Sequence, residues 1–322
     1  MRPGSMEVAV CLMGPTATGK TELALALAER MPVALVSVDS AMVYRHLDIG
    51  TGKPSRDILA RYPHRLVDIR EPWEQYSAGD FVKDASDAIE QISASGRIPL
   101  LVGGTLLYFR SLIRGLSVLP AADPALRAGL DSRALRDGWP ALHRQLADVD
   151  PAAAARIGAT DRQRIQRALE VWLLTGQTIS ALQARDSRVG TLTGRHRFLK
   201  VGIMPRDRRL LWQRIAERFQ GMLERGFVGE VEKLLAMPAM RPDSPALRAV
   251  GYRQIGQFVT GGCSRDEAKD RALAATRQLA KRQITWLRRD DCDIWLDMES
   301  GSLLQDLENA TREALSRMQY QD

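Results

Sequence analysis

Cysteine, histidine and long apolar runs are scarce in this chain of 322 residues. The three cysteines, Cys11, Cys263 and Cys292, lie far apart and form no CxxC pair and no Cys/His cluster. This spacing excludes a disulfide scaffold and any zinc site that a sequence motif would reveal. No apolar run approaches the roughly 20 residues that a membrane-spanning helix needs. Met1–Met6 is too short and too polar for a signal peptide, so we expect a cytoplasmic protein without a membrane partner.

Acidic residues are also outnumbered, by 46 Lys and Arg to 39 Asp and Glu, which gives a net charge of +7. Only seven of the basic residues are lysines. An excess of positive charge favours a polyanionic partner, although a merely basic enzyme is the alternative. Hydrophobic residues make up 45% of the chain, which is enough for a substantial core in one large or two small domains.

Strand-like and helix-like segments alternate in the first part of the chain. Short β-branched or apolar runs predict strands at Val8–Met13, Val33–Asp39, Leu66–Ile69 and Ile98–Gly104. Helical spacing of apolar residues predicts helices at Lys20–Arg30, Ala78–Ser95 and Thr105–Arg114. Such alternation is typical of a parallel sheet with helices on both faces.

The pattern changes near Pro120. Residues 120–195 contain no strand-like run and are rich in Ala, Arg and Leu, so we predict an all-helical insertion domain there. Two further strands are predicted after it, at Phe198–Met204 and Cys292–Met298, with helices at Arg206–Gly226, Ser264–Asp290 and Leu303–Gln319. Residues 1–119 and 196–322 are therefore expected to form one core domain.

A glycine-rich segment after the first strand matches G-x-x-x-x-G-K-[ST] and consists of Gly14, Pro15, Thr16, Ala17, Thr18, Gly19, Lys20 and Thr21. In this motif backbone N–H groups converge on phosphate oxygens at the positive end of the following helix. Lys20 adds a charge, and the Thr21 hydroxyl is placed to bind Mg²⁺, the expected cofactor. With the alternating segments, the motif predicts an α/β fold of the P-loop NTPase-like type.

The motif alone does not say which phosphate compound binds, and an NTPase or small-molecule kinase is the default interpretation. Asp39 ends the second strand and is expected at the same edge of the sheet. It is suited to hold Mg²⁺, to act as a base, or only to cap a turn. No run of apolar residues ends in Asp-Glu, which weakens the ATPase interpretation.

Nine ordered blocks carry a more specific resemblance: GPTATGKT (14–21), VDSAMVY (38–44), DIGTGKP (48–54), PHRLVDI (63–69), YSAGDF (76–81), LLVGGTLLYF (100–109), DRQRIQRALEV (161–171), LRAVGYRQI (247–255) and TRQLAKRQITWLRR (276–289). Together they resemble the tRNA dimethylallyltransferase (tRNA isopentenyltransferase) family, in its bacterial form without a zinc finger. Departures are Met42 for the usual Gln, Gly52 for Ala and Leu106 for Gly. Met42 lacks the side-chain amide with which a Gln at this position could contact the target base.

This resemblance implies a monomeric enzyme that transfers a dimethylallyl group from dimethylallyl diphosphate to N6 of the adenosine 3′ of the anticodon. Its partners are the anticodon stem-loops of tRNAs that read codons beginning with U. The P-loop then holds the diphosphate leaving group. Asp39 resembles the residue that accepts the amine's proton, and Thr105 resembles one that contacts tRNA near the target base; both are expected to be catalytic.

The family's tRNA-contacting segments map onto Asp39, Ser40, Ala41, Met42, Thr105, Arg127, Gln163, Arg164, Ile165, Gln166, Arg167, Arg248, Ala249, Val250, Gly251, Tyr252, Arg253, Lys281, Arg282, Gln283, Ile284, Thr285, Trp286, Leu287 and Arg288. Between Arg271 and Arg289 there are six basic residues and no acid, which suits RNA, although a solvated basic face is the alternative. Tyr252 and Trp286 are candidates for base stacking, but Trp286 is expected to pack in the core.

Three rival functions share some of these features. A P-loop kinase explains the cradle but not the basic helix. An adenylate dimethylallyltransferase has less need of a long basic surface, and an RNA-binding module does not need a working P-loop. Arg214 and Arg218, one helical turn apart, are equally compatible with a diphosphate site and with the surface.

Overall fold

The structure is a computed structural model that describes residues 7–185, 188–189 and 196–319. The segment considered as a leader, Met1–Met6, lies outside the described residues. The chain divides into two compact units, unit 1 (Met1–Ile113 with Leu192–Asp322) and unit 2 (Arg114–Thr191). The corresponding boundaries predicted from the sequence lie at residues 119/120 and 195/196.

The described strands are β1 (Glu7–Met13), β2 (Val33–Val38), β3 (His64–Arg65), β4 (Ile98–Gly103), β5 (Leu116–Ser117), β6 (Arg188–Val189), β7 (His196–Met204) and β8 (Ile294–Asp297). The helices are α1 (Lys20–Ala28), α2 (Arg56–Arg61), α3 (Ala78–Ala94), α4 (Leu106–Arg114), α5 (Pro124–Asp137), α6 (Trp139–Val149), α7 (Pro151–Ala154), α8 (Arg162–Thr175), α9 (Ile179–Ala184), α10 (Arg208–Glu224), α11 (Phe227–Leu235), α12 (Tyr252–Val259), α13 (Arg265–Leu287) and α14 (Leu303–Gln319).

Unit 1 is built on a six-stranded sheet in the order β3-β2-β4-β1-β7-β8, with every neighbouring pair parallel. Helices α1 and α3 connect strands of this sheet, as parallel pairing requires. The predicted fold class, a P-loop NTPase-like parallel sheet flanked by helices, is confirmed.

Two details of the prediction are wrong. The third strand is His64–Arg65 and not Leu66–Ile69, because Leu66 and Asp68 have φ angles of 65° and 56°, which extended strands do not allow. The insertion is not all-helical either, since Leu116–Ser117 pairs antiparallel with Arg188–Val189. A ladder of two residues is too short to leave a period in the sequence.

Capping side chains fix the starts of two long helices. Ser77 and Asp80 form a capping box at the start of α3, and Ser264 with Glu267 forms another at the start of α13. The apolar faces of α1, α13 and α14 cover one side of the sheet, where Leu12 is fully buried. Within the part of the chain that the structure describes, no helix is both long and apolar enough to span a bilayer.

A second core in unit 1 joins α10, α11, α12 and α13 to the segment after β2, around Phe227 and Tyr252. Unit 2 has a core of its own, in which Leu130, Leu146 and Ile165 from α5, α6 and α8 pack together. Each unit therefore buries its own apolar side chains.

Candidate active site

Three loops meet at the carboxyl edge of the sheet in unit 1, because the parallel strands β1, β2 and β4 all end there. The Thr105 N–H after β4 donates to the Val38 carbonyl at 3.2 Å. The Ser40 N–H after β2 donates to Thr105 Oγ1 at 3.1 Å. These bonds fasten the loop that carries Asp39 to the loop that carries Thr105.

The glycine-rich loop after β1 has the turns that a phosphate cradle needs. Ala17 and Gly19 lie in the left-handed region, with φ of 64° and 80°. Thr18 Oγ1 donates to the Pro15 carbonyl at 2.9 Å, which closes the loop on itself. Helix α1 begins at Lys20, so its unpaired N–H groups and the positive end of its dipole face the loop.

Lys20 folds back over this loop, and its Nζ donates to the Pro15 carbonyl at 2.6 Å. Burial, and then the neighbouring Arg218 guanidinium, lower the pKa of Lys20 to about 7. A free ammonium held among other positive groups is costly, and a bound polyanion relieves that cost. The arrangement is therefore suited to a ligand with several negative charges.

A cavity of about 1180 Å³ opens in unit 1 beside the cradle, and its walls include Lys20, Thr21, Asp39, Met42, Arg218 and Gln283. Both polar groups and apolar side chains line it. Its position places the P-loop and the Asp39 carboxylate around one space, as the sequence analysis expected for these residues.

The Asp39 carboxylate is held in a defined orientation. Its Oδ1 accepts from the N–H groups of Ala41 and Met42 at 2.8 and 3.2 Å. Asp39 therefore caps a turn, one of the three roles left open above, while it also lines the cavity. Both features are compatible with a base, because a positioned carboxylate keeps an oxygen for a proton.

The oxygens available for a divalent cation at this site are few. Among the described residues no group of three or more His, Cys, Asp and Glu side chains is placed to hold a metal ion. Thr21 and Asp39 both line the cavity, and their oxygens are the type that Mg²⁺ prefers. Because Mg²⁺ commonly takes one or two protein oxygens together with substrate phosphates, these two residues fit such an ion.

Two arginines that the sequence left open between a diphosphate site and the surface face the cavity, together with a third that the sequence did not suggest. Arg214, Arg218 and Arg225 all line it. Arg218 and Arg225 lie four and eleven residues after Arg214, which places the three on one face of α10 and its end, so the helical spacing noted for Arg214 and Arg218 extends to Arg225. Arg218 Nη2 donates to the Thr51 carbonyl at 2.9 Å, and a Cβ on Gly52 would lie 2.0 Å from that nitrogen. Gly52 therefore leaves room for this guanidinium.

Glu230 was missed by the sequence analysis and organises one wall of the cavity. Its carboxylate accepts from the N–H groups of Asp48, Ile49 and Gly50 at 3.0, 2.7 and 3.1 Å. The Tyr252 hydroxyl donates to the same carboxylate at 2.6 Å. One side chain from α11 thus fixes a loop that lies 180 residues or more away in sequence.

Lys53 holds the other end of this loop. Its Nζ donates to Asp48 Oδ1 and Asp68 Oδ1, each at 2.6 Å, and to the Tyr44 carbonyl at 3.0 Å. The side chain is only 2% exposed, so the ammonium is paired and buried. Asp68 belongs to the segment that was predicted as a strand, and it serves here as a counter-ion.

The residues assigned to tRNA binding in unit 1 divide by exposure. Those with exposed side chains are Ser40, Arg248, Arg253, Lys281, Arg282, Thr285, Trp286 and Arg288. Those that are partly exposed are Asp39, Ala41, Met42, Thr105, Ala249, Val250 and Gln283, and those that are buried are Gly251, Tyr252, Ile284 and Leu287. Only the first two groups are available to a large ligand.

The two aromatic side chains in this set are not placed as the sequence predicted. The Tyr252 ring is fully buried in the second core and is not available to stack on a base. Trp286, which was expected in the core, is 36% exposed. The stripe of Ala280, Ile284 and Leu287 fills the buried face of α13, and Trp286 lies outside that stripe.

In unit 2 the predicted tRNA-binding residues are Arg127, Gln163, Arg164, Ile165, Gln166 and Arg167. Ile165 is buried, and Arg127 and Arg167 both pair with the buried carboxylate of Glu170, at 2.8 and 2.6 Å. Burial raises the pKa of Glu170, but hydrogen bonds from the two guanidinium groups and the Asp123 N–H lower it below its usual value overall. The two arginines therefore have a structural partner.

We expect Glu170→Gln to lower the free energy of unfolding of unit 2 by about 2 kcal/mol, because it removes charge-assisted bonds to two arginines. Hydrogen exchange of the amides of α5 and α8 measures this change. Asp137→Asn is the matched control, because the Arg136–Asp137 pair in the same unit is exposed. Equal protection in the two variants would contradict the role of Glu170.

Comparisons with known proteins show the family to which the chain belongs. The model of the "IPP transferase" family matches residues 42–290, and that of the "Isopentenyl transferase" family matches residues 6–70. A protein named tRNA dimethylallyltransferase from Burkholderia ambifaria is 55% identical over 278 residues, which are 86% of each chain. Its namesake from Ralstonia nicotianae is 53% identical over 290 residues, 89% of this chain and 90% of that one.

Two solved structures are similar along nearly the whole chain. The tRNA isopentenylpyrophosphate transferase of Bacillus halodurans has a TM-score of 0.69 and 33% identity, and the match covers 97% of this chain and 98% of that one. A eukaryotic dimethylallyltransferase, described as acting on tRNA, has a TM-score of 0.75 and 25% identity, with 96% and 78% covered.

Proposed function

The chain belongs to the IPP transferase family, and from this premise we propose that it transfers a dimethylallyl group from dimethylallyl diphosphate to N6 of the adenosine 3′ of the anticodon in tRNA. It acts as a monomer on tRNAs that read codons beginning with U and releases diphosphate. The observation that carries the proposal is one cavity that holds the cradle with Lys20 and the Asp39 carboxylate.

The cradle serves to stabilise the leaving group. When the allylic C–O bond breaks, its electron pair stays on the diphosphate, whose negative charge grows. In this proposal the Lys20 ammonium and the N–H groups at the start of α1 stabilise that charge, as the cradle beside them supports. Arg218 and its neighbours on α10 line the same cavity and add positive charge.

Asp39 serves the other reactant. As the N6–C1 bond forms, the adenine nitrogen loses a proton, and this amine is a weak nucleophile because its lone pair is delocalised into the ring. The fixed Asp39 carboxylate accepts the proton. Thr105 is bonded to the loop that carries Asp39, which supports a place for it near the target base.

Mg²⁺ completes the charge balance in this proposal. Thr21 would hold the ion together with the diphosphate oxygens, which leaves the free oxygen of Asp39 for the proton. When bound, the ion would neutralise diphosphate charge. Because no group of three or more His, Cys, Asp and Glu side chains is placed to hold a metal among the described residues, we expect ion and diphosphate to bind together.

Recognition of the tRNA falls to exposed basic and aromatic side chains. Lys281, Arg282 and Arg288 lie exposed on α13 and at its end, and Trp286 is exposed between them. The target base lies in a single-stranded loop, so its extrusion costs only a few kcal/mol at most. These features support an anticodon stem-loop as the polyanionic substrate.

We expect Lys281→Ala or Arg282→Ala to weaken tRNA binding and to flatten its salt dependence. Removing one contact with a phosphate lowers the slope of log K against log[salt] by roughly 0.7–0.9. Diphosphate affinity stays nearly constant, because neither residue lines the cavity. Filter binding at several salt concentrations measures the slope, and Arg265→Ala, an exposed residue at the other end of α13, is the control. If both variants keep the wild-type slope, Lys281 and Arg282 face solvent and do not contact tRNA.

The activity is tested by single-turnover release of diphosphate from dimethylallyl diphosphate. We expect rapid release with an anticodon stem-loop and none with AMP alone. Release with AMP in place of RNA would favour an adenylate dimethylallyltransferase. Steady hydrolysis of ATP without prenyl diphosphate would favour a P-loop kinase or ATPase.

A further inference from the structure

Gln283 lies within the segment assigned to tRNA binding, yet its side chain points into the protein. Its Oε1 accepts from the Thr16 N–H at 3.0 Å, and its Nε2 donates to the Gly104 carbonyl at 2.8 Å. One amide from α13 thus joins the P-loop to the loop after β4. Both bonds have ordinary lengths, and together they use the acceptor and the donor end of the same amide.

The two loops joined by Gln283 carry the two halves of the reaction. Thr16 belongs to the cradle for the diphosphate, and Gly104 precedes Thr105, which is bonded to the loop of Asp39. Strands β1 and β4 pair directly up to Met13 and Gly103, and beyond this ladder the Gln283 amide is a further link between the two loops. A change of about 1 Å in the spacing between leaving group and base is enough to slow a transfer by roughly a hundredfold.

Gly104 has no side chain, and this leaves room for the Gln283 amide. A Cβ on Gly104 would lie 2.4 Å from Gln283 Nε2, a distance that real Cβ atoms do not show. It would also lie 3.1 Å from the Gly14 carbonyl, which is tight but closer to real contacts. A side chain at position 104 would therefore displace Gln283 first.

From these contacts we propose that Gln283 is a positioning residue that sets the P-loop against the loop of Thr105 and does not contact tRNA. This role rests on the proposed function, because it concerns the distance between diphosphate and adenine in that reaction. It separates Gln283 from its exposed neighbour Arg282, which faces solvent on the same helix.

The test compares Gln283→Met with Gln278→Met in the full chain. Methionine keeps the length of the side chain and the helix, but it forms neither hydrogen bond. Gln278 is exposed on the same helix and serves as the matched control. The readouts are the single-turnover rate of transfer at saturating substrates, the Kd for an anticodon stem-loop, and the melting temperature.

We expect Gln283→Met to lower the transfer rate at least tenfold, as the loss of two hydrogen bonds implies, with the Kd for the stem-loop within about twofold of the wild type. Gln278→Met leaves both values unchanged. A weaker stem-loop affinity with a normal rate at saturation would make Gln283 an RNA contact and overturn the proposal. A rate equal to that of the control would overturn it as well.

Gly104→Ala approaches the same contact from the other side and keeps the proposal testable if Gln283→Met does not fold. We expect it to lower the rate similarly, and the double variant to be no slower than the slower single one, since both break one contact. Additive losses would contradict a shared role. A wild-type chain that transfers nothing to the stem-loop would instead contradict the proposed function, and the positioning role would fall with it.

Discussion

Asp39→Asn is expected to lose roughly 10²–10⁴-fold of the transfer rate, the usual contribution of a general base. The structure indicates that this substitution removes the base without disturbing the loop. An asparagine Oδ1 still accepts from the N–H groups of Ala41 and Met42, so the turn survives while the proton acceptor is lost. Dimethylallyl diphosphate should bind as before. Single-turnover transfer and calorimetric binding measure the two quantities separately.

A second aspartate provides the control for this prediction. Asp207 also accepts a backbone N–H, that of Arg209, at the start of α10, and it does not line the cavity. We expect Asp207→Asn to transfer at the wild-type rate. Near-normal transfer by Asp39→Asn would show that Asp39 only caps its turn, and that the proton leaves by another route.

Lys20→Ala is expected to weaken dimethylallyl diphosphate binding and to lower the transfer rate by roughly 10²–10³-fold, because the charge on the leaving group grows as the bond breaks. Direct binding and single-turnover transfer measure the two effects. Lys83→Ala, an exposed lysine on α3, controls for the loss of one positive charge. ATP should compete only weakly, since its sugar and base do not resemble a five-carbon chain.

The pH dependence gives this prediction a second readout. The pKa of Lys20 is lowered to about 7 by burial and by Arg218, so the ammonium is present below pH 7 and is lost as the pH rises through that value. Above pH 7 Lys20 must take up a proton when the diphosphate binds, so binding to the wild type should weaken as the pH rises. Lys20→Ala should lack this dependence. An unchanged pH profile in the variant, or unchanged transfer, would remove Lys20 from the mechanism.

The cradle and most of the sheet could be predicted from the sequence because their signals are local. The run Val8–Met13 followed by the glycine-rich motif indicates strand, loop and helix within a few residues, and the structure has β1 and α1 there. The buried stripe of α13 follows from helical spacing in the same way. The identity of the P-loop ligand needed the nine blocks, since a phosphate cradle alone does not name its substrate.

Long-range polar contacts could not be predicted in this way. Gln283 meets Thr16 across 267 residues, and Glu230 meets the loop at Gly50 across 180, and nothing in either local pattern indicates the partner. The same limit explains why Tyr252 and Arg127 were assigned to tRNA binding. Their side chains are of types that bind RNA, but in the fold they pair with Glu230 and Glu170. Exposure and pairing depend on the fold, whereas residue type does not.

The most direct test of the central claim is incubation of the chain with labelled dimethylallyl diphosphate and an anticodon stem-loop, followed by digestion to nucleosides. The proposed function predicts label in N6-dimethylallyladenosine from the position 3′ of the anticodon, and none when that adenosine is replaced by guanosine. Label on free AMP, or none on RNA under conditions in which the diphosphate binds, would contradict it.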